Sequence, residues 1–142
     1  MLSRKQIEES LRKWNQAWST YDLQGVIEIF HEDILFDNWT GGKVKGKEAL
    51  RKAWADWFAN HGGFRFSEEE TFIDESQQKV LYRWQLDWPS SEKGYEGQPE
   101  TRRGVDVIHF KDGKIISKLT YSKTTLLIHG KRVRLSASKG ST

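Results

Sequence analysis

The feature that most constrains how this chain can fold is an Asp-Gly turn between two apolar runs. It lies within residues 103–116, where Val, Ile and Phe flank Asp112-Gly113. This pattern predicts a β-hairpin. Because side chains alternate between the two faces of a strand, the first strand places four residues on one face. They are Gly104, Asp106, Ile108 and Phe110.

Asp106 is an ionisable residue on an otherwise apolar strand face, and this placement has two interpretations. Either the face is half-buried and the carboxylate meets water or a basic neighbour such as Arg103 or Lys118, or the side chain projects into a cavity. In a dry cavity with Lys118 pointing away, loss of water keeps the carboxyl protonated near neutral pH and available for acid/base work. A nearby Lys118 keeps it ionised.

The length of 142 residues fits a single domain, which we place at residues 1–136, followed by a disordered polar tail at 137–142. The chain has no cysteine, which excludes disulfides and thiolate chemistry. Its N-terminal stretch has no apolar run typical of a signal peptide or a membrane span. We therefore expect a cytoplasmic protein that does not engage membranes.

Charge and motif content argue against several other classes. A net charge of +3 is small for a nucleic-acid-binding protein, and the basic residues after Lys111 are interpreted as a solvated edge. The four His are far apart and lack the spacing of metal ligands. There is no phosphate-binding glycine loop, nucleophile elbow or dinucleotide fingerprint. No metal, no cofactor and no nucleic acid are expected.

Three helices are predicted from caps and apolar periodicity. The first follows Ser3, a capping residue, and carries an apolar stripe that ends at Tyr21. The second follows Asp22 and extends to Phe30, and the third begins at Lys47.

Strands are predicted at 34–39, 64–74 and 80–88, before the central hairpin. The second strand of that hairpin is expected to run unbroken from 115 to 128, before a turn and a last strand at 132–135. This order indicates an α+β fold with N-terminal helices packed on the concave face of a strongly curved antiparallel sheet. A cone-shaped pocket forms between the two layers.

This order of elements, together with three local motifs, resembles the nuclear transport factor 2-like family. The motifs lie at residues 22–33, 46–50 and 104–115, and the resemblance covers residues 3–128. The family includes ketosteroid isomerases, limonene-epoxide hydrolases and SnoaL-type polyketide cyclases. The same fold carries many functions, so the reaction has to be argued from the site.

The resemblance to the isomerases implies roles for three positions. Asp106 falls where those enzymes keep a protonated Asp that donates a hydrogen bond to the developing oxyanion. Their general base falls on Asn38, which cannot take a proton, and their hydrogen-bonding Tyr falls on Trp14. Steroid isomerisation is therefore not supported.

The other two branches of the family make different demands. The epoxide hydrolases need two Asp with an Arg between them, and the matching position on the last long strand is Thr120. The SnoaL-type pattern asks for one acid beside a largely apolar cavity, which Asp106 would supply. The SnoaL-like branch is thus the least contradicted, as an acid/base reaction without a cofactor.

The predicted site places Asp106 and Asn38 in the catalytic positions. Glu68 is a candidate for the missing base if it shares the pocket face with Phe66; the alternative is a solvated acidic edge. The alternative for the four helical Trp is a place in the core: Trp14, Trp18, Trp54 and Trp57. The predicted ligand-binding residues are Trp14, Trp54, Glu68, Tyr82, Trp84, Trp88, Phe110 and Lys118.

Three functions remain open. The first is a cofactor-free enzyme of isomerase, cyclase or lyase type acting on an apolar, carbonyl-containing or polycyclic substrate. The second is a pocket that binds such a molecule without catalysis, and the third is a dimeric scaffold for protein interaction. A homodimer is expected because the outer sheet face, with Val105, Val107, Leu119 and Tyr121, is also apolar.

Overall fold

The computed structural model describes residues 1–135, so the tail predicted at 137–142 lies outside the described residues. Three helices precede or interrupt the early strands: α1 (Arg4–Ser19), α2 (Leu23–Ile27) and α3 (Lys47–Ala59). Within residues 1–135, no helix combines the length and apolar character needed to cross a membrane. The strands are β1 (Phe30–Asp37), β2 (Lys43–Lys45), β3 (Arg65–Asp74), β4 (Lys79–Pro89), β5 (Pro99–Lys111), β6 (Lys114–Ser122), β7 (Thr125–Ile128) and β8 (Lys131–Arg134).

The strands form one curled sheet in the order β2-β1-β6-β5-β4-β3, and β7 joins it through β5 and β8. The predicted α+β class, with helices against the concave face, is confirmed. One detail differs, because β1 runs parallel to β6 while every other described pair is antiparallel. No hairpin turn connects β1 with β6, since the chain enters β1 from α2. The two strands can therefore run parallel.

Local capping explains where α1 and α3 begin. The Ser3 hydroxyl accepts from the Gln6 amide at 3.2 Å, and the Gln6 side chain accepts from the Ser3 amide at 2.8 Å. This reciprocal pair is a capping box. Gly46 precedes α3 with φ of +96°, a conformation that glycine adopts without strain. Both predicted helix starts are confirmed.

Two predicted element boundaries are wrong for the same physical reason. Phe30 does not end α2 but begins β1, because it pairs with Ile115 in the parallel ladder. The strand expected over 115–128 breaks after Ser122. Between the pairs Gly104↔Ser122 and Thr101↔Leu127, the segment from Ser122 to Leu127 has more residues than the part of β5 that it faces. The extra residues have no partner on β5 and therefore leave the ladder. Pairing with a distant strand overrides local sequence preference.

The hydrophobic core lies between the helices and the concave sheet face. The apolar stripe of α1 packs over β3, and α3 packs over β1. Side chains that alternate along β4 and β5 complete this core from the sheet, as Trp84 and Ile108 illustrate. At one end of this layer the packing is incomplete, and a cavity remains.

Candidate functional site

The cavity between the helices and the sheet has a volume of about 210 Å³. Its wall is mostly aromatic and contains all seven Trp of the chain. The large aromatic content of this polar sequence is thus concentrated around one internal space. The Trp residues are Trp14, Trp18, Trp39, Trp54, Trp57, Trp84 and Trp88, joined by Phe36, Phe66 and Tyr82.

Helical and strand periodicity together bring these rings to one place. Trp14 and Trp18 are four residues apart on α1, so they lie on one helix face, and their ring centroids are 6.0 Å apart. Trp54 on α3 packs edge-on against Trp18 at 5.3 Å. Tyr82 and Trp84 are two residues apart on β4 and point to the same sheet face.

Asp106 lies in the cavity wall at 4% exposure, on β5. Its Oδ1 accepts hydrogen bonds from the Trp84 Nε1 at 3.1 Å and from the Thr120 hydroxyl at 2.8 Å. Its Oδ2 lies 3.4 Å from the Lys118 Nζ. The cavity interpretation of Asp106 therefore describes its position, and Lys118 lies beside the carboxyl group instead of pointing away from it.

Lys118 reaches the cavity because it lies on β6 two residues before Thr120, on the same sheet face. Its Nζ donates to the Thr120 hydroxyl at 2.8 Å and lies 4.7 Å from the centroid of the Phe36 ring. Burial lowers the pKa of Lys118 below its ordinary value, and the charge and hydrogen bond of Asp106 oppose that effect. The cavity thus holds a buried amine and a carboxylate bridged by a hydroxyl.

Gly104 is what allows the Trp84 ring to reach Asp106. The two residues are cross-strand partners, and a Cβ at position 104 would lie within 2.5 Å of atoms in the Trp84 ring. Such a distance is far inside ordinary contact, so any larger residue would displace the indole. The glycine that the sequence places on the Asp106 face is therefore a packing requirement of the site.

Two residues of the cavity wall, Trp14 on α1 and Tyr82 on β4, carry further polar groups. The Tyr82 hydroxyl donates to the Asn15 Oδ1 at 3.2 Å. Burial raises the pKa of Tyr82, with smaller contributions from the negative charges of Glu68 and Asp106, so the phenol stays neutral at physiological pH. The Trp14 Nε1 is buried and has no hydrogen-bond partner among the described residues. An unpaired buried donor is costly, and an acceptor on a ligand would satisfy it.

Two predicted site residues lie outside the cavity wall. Phe110 is in the hydrophobic core, where its side chain is almost fully buried among other core residues and does not line the cavity. Glu68 is exposed on the edge strand β3, next to a bulge in its pairing with β4, so the acidic-edge alternative describes its position. The other predicted residues line the cavity: Trp14, Asn38, Trp54, Tyr82, Trp84, Trp88, Asp106 and Lys118.

Seven wall residues were not predicted. Trp18 and Trp57 share helix faces with Trp14 and Trp54, so their spacing is consistent with a place in the cavity wall. Core packing gives the same pattern. Trp39 lies in the loop after β1, where no periodicity applies. The unpredicted residues are Asn15, Trp18, Phe36, Trp39, Trp57, Phe66 and Thr120.

A buried ionic network supports the part of the wall formed by Trp39 and Trp88. Glu100 accepts from the Trp88 Nε1 and from the Arg102 Nε, the latter at 3.0 Å. The Arg102 guanidinium lies 4.6 Å from the centroid of the Trp39 ring. Both charged side chains are almost fully buried, so this pair holds the two rings in place.

The described residues offer no metal centre, since no group of three or more His, Cys, Asp or Glu among them could hold an ion. The polar groups of the cavity-lining residues are an amine, a carboxylate, two hydroxyls, two amides and indole N–H groups. This set is suited to holding and protonating an oxygen of an organic molecule.

Comparison with known proteins agrees with the fold. The SnoaL-like domain matches residues 11–118. No curated protein matches the chain. Among solved structures, a nuclear transport factor 2-like protein of unknown function from Mesorhizobium loti is 25% identical, covering 87% of this chain and 96% of that one, with a TM-score of 0.69.

Two further structures share the fold at lower identity. TerC, co-crystallised with polyporic acid, is 18% identical over 82% of this chain and 90% of its own, with a TM-score of 0.66. A candidate polyketide cyclase from Xanthomonas campestris is 17% identical over 83% of this chain and 90% of its own, with a TM-score of 0.65. The chain therefore belongs to the SnoaL-like family of small-molecule-binding domains and has the nuclear transport factor 2-like fold.

Proposed function

We propose that the cavity binds one flat, largely apolar molecule that carries a carbonyl oxygen, and that the protein acts on it as an acid/base enzyme without a cofactor. The observation that carries this proposal is the enclosure of the Asp106–Lys118 pair by seven Trp. Aromatic walls favour flat aromatic or polycyclic ligands through stacking and edge contacts. The few polar groups set the orientation of the ligand.

The volume limits the size of the ligand. An apolar cavity of about 150 Å³ is known to hold benzene. At about 210 Å³, this cavity is matched to a molecule of one or two fused rings.

The polar groups have distinct roles in this proposal. Asp106 exchanges a proton with the ligand, Lys118 supplies the positive charge beside it, and the Asn38 amide orients the carbonyl. The unpaired Trp14 N–H donates to the carbonyl oxygen. Isomerase, cyclase and lyase reactions next to a carbonyl all need such an exchange.

Intrinsic fluorescence tests ligand binding directly, because every Trp lies in the cavity wall. We expect β-acetonaphthone to quench the fluorescence saturably at one site. Trp14→Phe keeps a ring but removes the N–H donor, so it should weaken the binding of this ketone by about 2- to 10-fold.

The matched control ligand is ethylnaphthalene, which has the same rings without the oxygen, and its affinity should not change in Trp14→Phe. Equal loss for both ligands would contradict the hydrogen-bonding role of Trp14. Absence of saturable quenching by either ligand would remove the proposed function. Polyporic acid, the compound crystallised with TerC, is a further ligand for the same titration.

The outer face of the sheet supports a second part of the proposal, that two copies of the chain associate. Phe72 pairs with Leu81, Leu81 with Val107, and Val107 with Leu119, so an apolar stripe crosses four strands. Tyr121 extends the stripe and is exposed. Salt bridges flank it, between Arg83 and Glu70 and between Arg103 and Glu69.

A second copy of this chain fits the surface, because a two-fold axis through the stripe places apolar residues on apolar residues and lets the flanking charges exchange partners. We expect a dimer in sedimentation equilibrium at tens of micromolar protein, and a monomer for Leu81→Glu. Leu127→Glu is the matched control, since Leu127 on β7 is 43% exposed against 37% for Leu81, but lies away from the stripe. A monomeric wild type would contradict the proposal.

A further inference from the structure

Lys118 has a chemical capacity that acid/base catalysis by Asp106 does not use. It is the lysine that lines the cavity in the described part of the chain, and its side chain is 8% exposed. Its Nζ contacts the Thr120 hydroxyl and the Asp106 carboxylate, and the Phe36 ring lies beside it. The amine therefore faces the same space as the proposed carbonyl ligand.

An amine attacks a carbonyl only when it is neutral, and an exposed lysine is charged at neutral pH. Two features of this site make the neutral amine accessible from the ion pair. Burial among aromatic rings lowers the pKa of Lys118, although Asp106 opposes the effect. Asp106 also lies close enough to take the proton, directly or through the Thr120 hydroxyl, which bridges the two groups. Desolvated lysines in apolar pockets are the usual covalent nucleophiles toward carbonyl compounds.

We propose that Lys118 forms an imine with an aldehyde or ketone group of a flat aromatic ligand bound in the cavity. This inference rests on the proposed function, since it needs the ligand's carbonyl group to be in the cavity. It places the carbonyl carbon of the ligand next to the Lys118 Nζ. It also assigns Lys118 a covalent role.

Imine formation needs only Lys118 and Asp106 to supply and accept the protons. Lys118 passes one proton to Asp106, and the neutral nitrogen attacks the carbonyl carbon, so a C–N bond forms and the C=O π pair moves to oxygen. A proton from nitrogen reaches that oxygen and gives a carbinolamine. Asp106 then protonates the hydroxyl, the C–O bond breaks, and water leaves. The products are a protonated imine, the Asp106 carboxylate and one water molecule.

The ion pair is preserved by this sequence, because the protonated imine replaces the ammonium beside Asp106. A protonated imine withdraws electrons from the neighbouring carbon more strongly than the carbonyl does. Asn38 lines the cavity and cannot act as a general base. The stronger activation by the imine would make the neighbouring carbon easier to deprotonate without that base.

Reductive trapping tests the inference. Wild-type protein is incubated with β-naphthaldehyde and cyanoborohydride at neutral pH, digested, and mapped by mass spectrometry. We expect one naphthylmethyl group on the peptide containing Lys118, appearing about tenfold or more faster than on exposed lysines, because a lower pKa leaves a larger neutral fraction.

Lys118→Arg retains a cation beside Asp106 but cannot form an imine, so it should lose the fast adduct. Lys118→Met serves the same purpose if the arginine variant fails to fold. Lys114→Arg is the matched control on the same strand, since Lys114 is exposed, and it should keep the fast adduct at Lys118.

The β-acetonaphthone titration, run on the same preparation, separates this inference from the proposed function. Saturable quenching without preferential labelling of Lys118 would overturn the imine and leave the binding proposal intact. Absence of both would remove the two together. Equal labelling rates in wild type and Lys118→Arg would also overturn the covalent role.

Discussion

Replacing Asp106 with asparagine is expected to lower the free energy of unfolding by about 3 to 5 kcal/mol, because it leaves the Lys118 ammonium buried without its counter-charge. The Nζ and Oδ2 atoms lie 3.4 Å apart, and both side chains are almost fully buried. Asparagine can still accept hydrogen bonds from the Trp84 Nε1 and the Thr120 hydroxyl. The loss of stability therefore measures the effect of the missing charge rather than of missing hydrogen bonds.

Urea unfolding measures this effect. The double variant Asp106→Asn/Lys118→Met removes both charges and should recover most of the lost stability, since replacing a complete buried pair is often neutral. Asp112→Asn, at an exposed position on the same hairpin, should stay within about 0.5 kcal/mol of wild type. Equal stability of Asp106→Asn and wild type would contradict the pairing.

The pH dependence of stability gives a second readout of the same pair. The pKa of Lys118 is lower in the folded state than its ordinary 10.5, so between those two values the unfolded chain binds more protons. The free energy of unfolding contributed by Lys118 therefore rises with pH through that window. The difference between wild type and Lys118→Met should show this rise, and a falling difference would contradict the assigned direction.

Much of the fold follows from short-range rules. Ser3 caps α1, Gly46 precedes α3, and Asp112-Gly113 turns the central hairpin, each through chemistry that involves only neighbouring residues. Strand alternation likewise places Asp106 and Trp84 on the concave face. Eight residues of the cavity wall were predicted, and all of them except Asn38 lie on such periodic elements.

The remaining features depend on contacts between distant parts of the chain. Phe30 is extended because β6 pairs with it, and Phe110 lies in a core cluster built from helices and strands that are far apart in the sequence. Trp39 faces the cavity from a loop, held by the Arg102 guanidinium, which no local pattern indicates. The break after Ser122 follows from a register change that only the paired strands determine.

Proton exchange at the carbon next to a bound carbonyl should depend on Asp106 by a factor of about 10² to 10⁴, the usual contribution of a positioned acid/base group. β-Tetralone is a suitable probe, because its two fused rings match the cavity volume of about 210 Å³ and its α-protons exchange measurably. The wild-type protein is expected to accelerate their replacement by deuterium above the buffer rate. Asp112→Asn should retain this acceleration.

The rate of deuterium incorporation into β-tetralone in heavy water, followed by NMR for wild type and Asp106→Asn, tests the central claim most directly. The measurement is made at a temperature where circular dichroism shows both proteins folded, with fluorescence titration establishing that both bind the ketone. We predict rapid incorporation with wild type and a rate near that of buffer with Asp106→Asn. A folded, ligand-binding Asp106→Asn variant that exchanges as fast as wild type would contradict the role assigned to Asp106.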